Sequence, residues 1–184
     1  MQTIIRRLLL GTNGAEIAET AAVLPVLFTI LLAIFFFGRA YNIYGTITQA
    51  ALQGARAAVA PTCATCGNLP LAADQVATQY VGPALQASHL DPTQVTYPNP
   101  GPNACQCGTG TWPACTSVGC DGAGTGATPA ICVQQNVTLT NTASTTQACG
   151  ASVSFKYPYT FSLPFHSFSL QLTATAEMQG ENSQ

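Results

Sequence analysis

Two carboxylates, Glu16 and Glu19, stand just before the one strongly apolar stretch of this chain, Ala21 to Phe37, "AAVLPVLFTILLAIFFF". A charge carried into hydrocarbon costs on the order of 3 kcal/mol and persists only with a partner. The second set of reactive side chains is eight cysteines: Cys63, Cys66, Cys105, Cys107, Cys115, Cys120, Cys132 and Cys149. All follow the apolar stretch. An even count in a loop-rich region reads as disulfides formed in an oxidising compartment, and eight cysteines allow about a hundred pairings. The competing chemistry is a pair of zinc sites with four thiolates each. The spacings C-x-x-C and C-x-C do occur, but no regular zinc-ribbon arrangement does, and no metal site is assigned. "CATCG" has Gly67 where haem attachment needs His. It also lies past a helix, whereas a redox pair wants to open one, where the helix N-terminus lowers the thiol pKa.

Other chemistry is sparse. The acids outside the apolar region are Asp74, Asp91, Asp121, Glu177 and Glu181, and the two histidines, His89 and His166, are isolated near expected turns. No serine-nucleophile, zinc-protease or phosphate-loop motif is present. One acid at Asp121-Gly122 is too few for a calcium loop. The expectation is no enzyme and no cofactor. Charged residues are 7% of the chain and the net charge is −2, against roughly 25% charged in soluble domains. A nucleic-acid groove needs clustered cations, and none is visible.

The elements that must position these groups begin with a helix over 15–60. With its flanks the apolar run reaches the roughly 20 residues that span a bilayer, placed at 20–38. Arg6 and Arg7 precede it, so the N-terminus stays cytoplasmic and the rest faces out. A cleaved secretory signal is the alternative, but two acids precede the apolar run and no A-x-A site follows promptly. Beyond the membrane, 39–60 is amphipathic. Arg39, Asn42, Thr46, Gln49, Gln53 and Arg56 recur at helical spacing, opposite Ile43, Ile47, Ala50, Ala51, Gly54, Ala55 and Ala58. Pro61 stops the helix. Its small residues permit close approach, either to like helices or to the chain's own outer domain.

Residues 61–184 form that outer domain. "PLAADQVATQYVGPALQAS", 70–88, reads as a helix broken near Gly82-Pro83, and Thr93 to Tyr97 as a short strand. Residues 98–130 have almost no periodicity, and disulfides are the means of ordering so long a loop. Three runs then alternate with period two: Ile131 to Leu139, Val153 to Leu163 and Phe168 to Met178. They predict an antiparallel meander with one apolar face, covered by the outer part of the long helix or by the second helix. Pro158 and Pro164 favour an edge position or a bulge for the middle run. In a simple hairpin Cys132 and Cys149 lie at opposite ends, beyond the ~7 Å reach of a bridge. Cys132 therefore pairs with a cysteine from Cys105 to Cys120.

The N-terminal residues resemble the TadE-like family, pilin-like proteins of tight-adherence (type IVc) pilus systems. The pattern is Gly14, the short run Ala15 to Ala18, Glu19, an apolar stretch with an early Pro25, and the exit Gly38-Arg39. "LTATAEMQGE", Leu172 to Glu181, resembles the family's closing strand. The resemblance covers residues 11–60 and the C-terminal strand, and is absent from the cysteine-rich middle. It implies an α+β pilin-like fold: a long N-terminal membrane and assembly helix, then a small disulfide-rich domain with a three- to four-stranded antiparallel sheet. It implies removal of a basic leader, 1–14, by a prepilin peptidase cutting between Gly14 and Ala15. Gly11, five residues before Glu16, offers a second register. Glu19 becomes residue five of the product, an assembly residue that meets the new ammonium of a neighbouring subunit. Glu16 sits beside the terminus, where Asn13 and Glu16 also read as a capping box. The implied partners are other pilins or like subunits, the peptidase, an inner-membrane platform and its ATPase. The implied place is a single-pass inner-membrane protein that moves into a surface filament, in a minor or priming position or as the main subunit. The other reading is an anchored, cysteine-rich binding module that never enters a filament.

Overall fold

The first element, α1 (Thr12–Val59), is helical throughout in the computed structural model, which describes residues 12–60, 71–98, 116–120, 130–139, 149–163 and 166–180. Helix formers dominate α1, and it ends two residues before Pro61, whose ring disfavours helical backbone at the residue preceding it. Contacts divide the chain into two units, Met1–Tyr41 and Asn42–Gln184. The boundary falls inside α1, just past the Gly38-Arg39 exit.

The second unit holds the folded core. Four strands, β1 (Thr116–Val118), β2 (Cys132–Thr138), β3 (Cys149–Leu163) and β4 (His166–Gln179), form one antiparallel sheet in sequence order. The three alternating runs are β2, β3 and β4, as the period-two pattern requires. The fourth strand, β1, comes from within the 98–130 stretch, where a three-residue strand leaves too few alternations to read. The fold is α+β, as expected.

A second helix, α2 (residues 73–87), covers the sheet together with the outer part of α1. Ile47, Ala50, Ala51 and Ala55 of α1 join Val76, Ala77, Val81 and Leu85 of α2 and Val153, Phe155, Ala174 and Ala176 of the sheet in one buried cluster. The two candidate covers of the apolar face are thus both used. Helix α2 corrects the expected break at Gly82-Pro83. It runs as an α-helical turn (Ala73–Gln75), a π-helical stretch (Val76–Val81) and a final α-helical segment (Gly82–Ala87). The Gly82 N–H donates to the Ala77 carbonyl, five residues back. Widening the turn this way lets the helix absorb Pro83, which has no N–H and would clash with a regular preceding turn. His89 ends the element in the left-handed region, φ 59°, with the Leu90 N–H closing on the Leu85 carbonyl at 2.9 Å. That is a helix C-cap.

Thr93 to Tyr97 does not form a strand. Asp91 accepts from the Thr93 N–H at 2.9 Å and from its hydroxyl at 2.7 Å, which winds Pro92–Gln94 into a 3₁₀ turn. The same hydroxyl and amide hold the Asp91 carboxyl below its usual range. Only Thr96 reaches the sheet, exchanging backbone hydrogen bonds of 2.8 Å with Lys156.

Strand β3 is used in two ways. Over Gly150–Ser154 it pairs with β2 on one side and β4 on the other, and beyond Lys156 its strand pairing among the described residues is with β4. Pro158 sits in that second half, opposite Gln171, and a strand proline is accommodated where its nitrogen faces away from the ladder. Pro164 lies outside the described residues. Strand β2 departs from simple alternation. A bulge at Asn136, φ 57°, shifts its register, and Gln134 and Gln135 are buried beside Val133. Asn tolerates this backbone better than its β-branched neighbours. The Gln135 amide donates to the Ala58 carbonyl at 2.9 Å and to the Leu71 carbonyl at 2.7 Å. It thereby satisfies one of the orphan carbonyls in the last turn of α1.

Gly54 fixes how closely α1 lies on this core. A Cβ there would collide with a methyl of Val81 and touch both methyls of Val153 at 3.5 Å, whereas Gly38 and Gly45 face open space. The small residues therefore divide: Gly54 serves the chain's own domain, and Gly45 is free of it. Gly54→Ala should lower unfolding stability by on the order of 1–3 kcal/mol through overpacking. Gly45→Ala should raise it by about 0.5–1 kcal/mol through helix propensity. Thermal melts of the two variants followed by circular dichroism check the opposite signs.

Candidate functional site

The part of the molecule that its own fold leaves unsatisfied is the first half of α1. Val23, Leu24, Val26, Leu27, Phe28, Ile30, Leu31, Ile34, Phe35 and Phe37 are 51 to 76% exposed. They cover the helix all round, so no single groove of the chain could bury them. The helix is long and apolar enough to cross a membrane. Its hydroxyls are already satisfied within the helix. Thr29 donates to the Pro25 carbonyl at 3.0 Å and the Val26 carbonyl at 2.7 Å, and Thr20 donates to the Ile17 carbonyl at 3.2 Å. Side chains that bond their own backbone present hydrocarbon to their surroundings.

Two residues break this apolar cylinder. Pro25 lies inside the helix and has no N–H, so the Ala21 carbonyl loses its helical donor. Glu19 is exposed, and among the described residues its carboxylate has no hydrogen-bonding or ionic partner. Gly14, Ala15 and Glu16 belong to the helical backbone, and their side chains lie outside the described set, as do Gly11 and the basic leader. The helix already includes Thr12, so Asn13 is a helical residue rather than the cap of a capping box.

At the outer end the surface changes character. Arg39, Tyr41 and Tyr44 are exposed within six positions, the cation-plus-tyrosine pattern of a membrane–water boundary. Asn42, Gln49, Gln53 and Arg56 continue as an exposed polar stripe with Thr46 half-buried, while Ile47, Ala50, Ala51, Gly54, Ala55 and Ala58 turn to the core. The helical stripe read from spacing is this solvent face.

The cysteines act as staples where they are described. Cys120 and Cys132 form a disulfide with Cα atoms 4.4 Å apart, tying the chain just after β1 to the first residue of β2. Cys149 pairs in register with Thr138, at the far end of the β2–β3 hairpin from Cys132, and is also disulfide-bonded. With three of the eight cysteines in disulfides, two sites of four zinc thiolates cannot be assembled. Cys63, Cys66, Cys105, Cys107 and Cys115 lie outside the described residues. The two histidines do not converge: His89 caps α2, and His166 packs edge-on against Phe168 at 4.7 Å.

Sequence reasoning missed two features. Gln135 gave no signal, because a polar residue in an alternating strand reads as solvent-facing. The exposed aromatic end of β3 and β4 was read as part of the covered apolar face.

Residues 14–56 match the family model of TadE-like proteins, in agreement with the resemblance carried by Gly14, Glu19, Pro25 and Gly38-Arg39. No curated protein and no solved structure matches the chain.

A cation in the apolar cylinder should abolish its fit to a membrane. Leu31→Arg costs about 3 kcal/mol at mid-helix on insertion scales. That variant should move from the membrane fraction to the carbonate-extractable fraction of cells, whereas Gln53→Arg, on the solvent stripe, should stay with the membrane.

Proposed function

We propose that this chain, whose segment 14–56 carries the TadE-like helix, is a pilin-like structural subunit of a tight-adherence surface pilus and has no enzymatic role. The observation that supports this is the exposed apolar cylinder of α1 with an acid near its start, Glu19, that has no partner among the described residues. Such a surface has two homes in turn: the bilayer before assembly, and a bundle of like helices afterwards.

The proposed path starts with the chain inserted with Arg6 and Arg7 on the cytoplasmic side. A prepilin peptidase cuts between Gly14 and Ala15. The cut removes the basic leader and creates an ammonium at Ala15. The Glu19 carboxylate of one subunit then meets the ammonium of a neighbour. In low dielectric the pair sets the step between subunits, because leaving either charge unpaired is costly, while the pair itself adds little net stability. Glu16 lies beside the new terminus. Pro25, six residues past Glu19, weakens the helix locally so that it can adjust to packing. A minor or priming position fits the TadE-like match, and a platform and an ATPase supply the extraction from the membrane. The mature chain then sits in an extracellular filament. The small fraction of charged residues suits burial among like subunits, which favours this reading over a free anchored module, whose surface would be more charged.

N-terminal sequencing and intact mass of the protein sheared from its native cells test the reading. The expected product starts at Ala15 and is about eight mass units light, from four bridges among eight cysteines. Glu19→Ala should be cut normally and be missing from the sheared material. A wild-type chain that keeps Met1 and stays with the inner membrane would overturn the pilin reading in favour of an anchored binding module.

A further inference from the structure

The apolar face of the sheet is covered along β3 and bare along the distal half of β4. Tyr159 is 5% exposed, while Leu170, directly opposite it on β4, is 51% exposed. Phe168, opposite Phe161, is 46% exposed and stacks on that ring at 5.3 Å. Phe161 is itself only half-buried. These positions share one face with Tyr157↔Leu172, Phe155↔Ala174 and Val153↔Ala176, which lie over the helix-covered core. The bare patch is thus continuous with an interface that a small-residue, apolar helix already makes. It carries no charge: Tyr159 lies opposite Leu170, and His166 packs on Phe168.

We infer that Phe168 and Leu170, with Phe161, form a docking surface for the exposed apolar part of α1 in a second copy of this chain. Three observations select that occupant. The patch extends the same sheet face that this chain's own helix fits. The chain presents a matching uncharged helical surface from Val23 to Phe37 that its own fold leaves exposed. The patch is also small. Two half-exposed side chains of this size offer on the order of 200 Å², against roughly 800 Å² per partner in a stable complex. It cannot hold a free dimer, and it suits a contact made among subunits already held together by their helices. The contact is between unlike surfaces, helix on sheet, so repeating it builds an open array rather than closing a pair. The inference rests on the proposed filament role and adds the surface that orients each outer domain on its neighbour.

The test uses the full chain in its native cells with a photo-crosslinking phenylalanine analogue at position 168 or 170. The expected product has twice the chain's mass, and its crosslinked peptide maps within Val23 to Phe37. Crosslinks to lipid alone, to β4 of another copy, to an unrelated protein, or to nothing in assembled material would overturn the inference. Phe168→Ser with Leu170→Ser provides the second measurement. Intact mass confirms that the bridges have formed, and the amount released by shearing should fall about tenfold or more while cleavage is unchanged. If wild-type chain assembles and this double variant matches it, the docking surface is wrong and the pilin reading stands. If wild-type chain never enters filaments, the pilin reading itself fails.

Discussion

Close approach of α1 to the sheet is the constraint on which the folded unit depends. The helix meets β3 through Gly54 and a run of alanines, and the space beyond Gly54 is filled by Val81 of α2 and Val153 of β3. Three elements therefore meet at a point where no side chain of α1 intervenes. The consequence is a core built from small contacts: Ala50, Ala51, Ala55 and Ala58 on the helix against Val153, Phe155, Ala174 and Ala176 on the sheet. Packing of this kind relies on many short-range contacts and little volume per residue, so a single added methyl is felt. It also fixes the register of the helix, because moving α1 by one residue would bring Gln53 or Ala55, each with a Cβ, into the space that Gly54 leaves.

Polar groups are managed locally, which is how so weakly charged a chain keeps its buried backbone satisfied. On the span, threonine hydroxyls return to carbonyls three and four residues back. At the far end, Gln135 crosses from β2 to the Ala58 and Leu71 carbonyls. Those two carbonyls bracket the segment that begins with Pro61 and contains Cys63 and Cys66, so one side chain fastens both of its ends to the sheet. Removing the amide would leave a buried acceptor at Ala58 and a partly buried one at Leu71 without this donor, a larger loss than the net worth of the bonds themselves.

What was legible in the sequence follows from period and composition. The long helix, its polar stripe and the three long strands were readable, because each repeats its pattern over many residues. The partner range for Cys132 was readable too, because strand rise alone places Cys149 too far away. Strand β1 was not, since three residues in a Gly, Pro and Cys background carry no period. The turn at Pro92–Gln94 was decided by one carboxylate, Asp91, overriding the strand preference of Val95 and Tyr97. The widened turn of α2 was hidden because Gly-Pro signals a break whether or not a helix can widen to absorb it. At the candidate site the acid, the proline and the glycine-arginine exit were visible as residue types. In the proposed role their contacts lie on other molecules, which a single chain does not display.

Exposure along α1 and β4 joins these threads. A helix apolar on all sides gains nothing in orientation from a bilayer, since lipid treats every side alike. An acid on one side and a proline six residues later break that equivalence, because each leaves a polar group that hydrocarbon cannot satisfy. In the proposed assembly, rotation of this half of the helix is set by whatever supplies a cation to Glu19 and a donor to the Ala21 carbonyl. Further along α1 the backbone at Gly38 and Gly45 has nothing crowding it, whereas at Gly54 Val81 and Val153 hold it close. The glycine near the end of α1 fixes that part of the helix against α2 and β3, while the charge near its start is, in the proposed role, what places the apolar half among its neighbours.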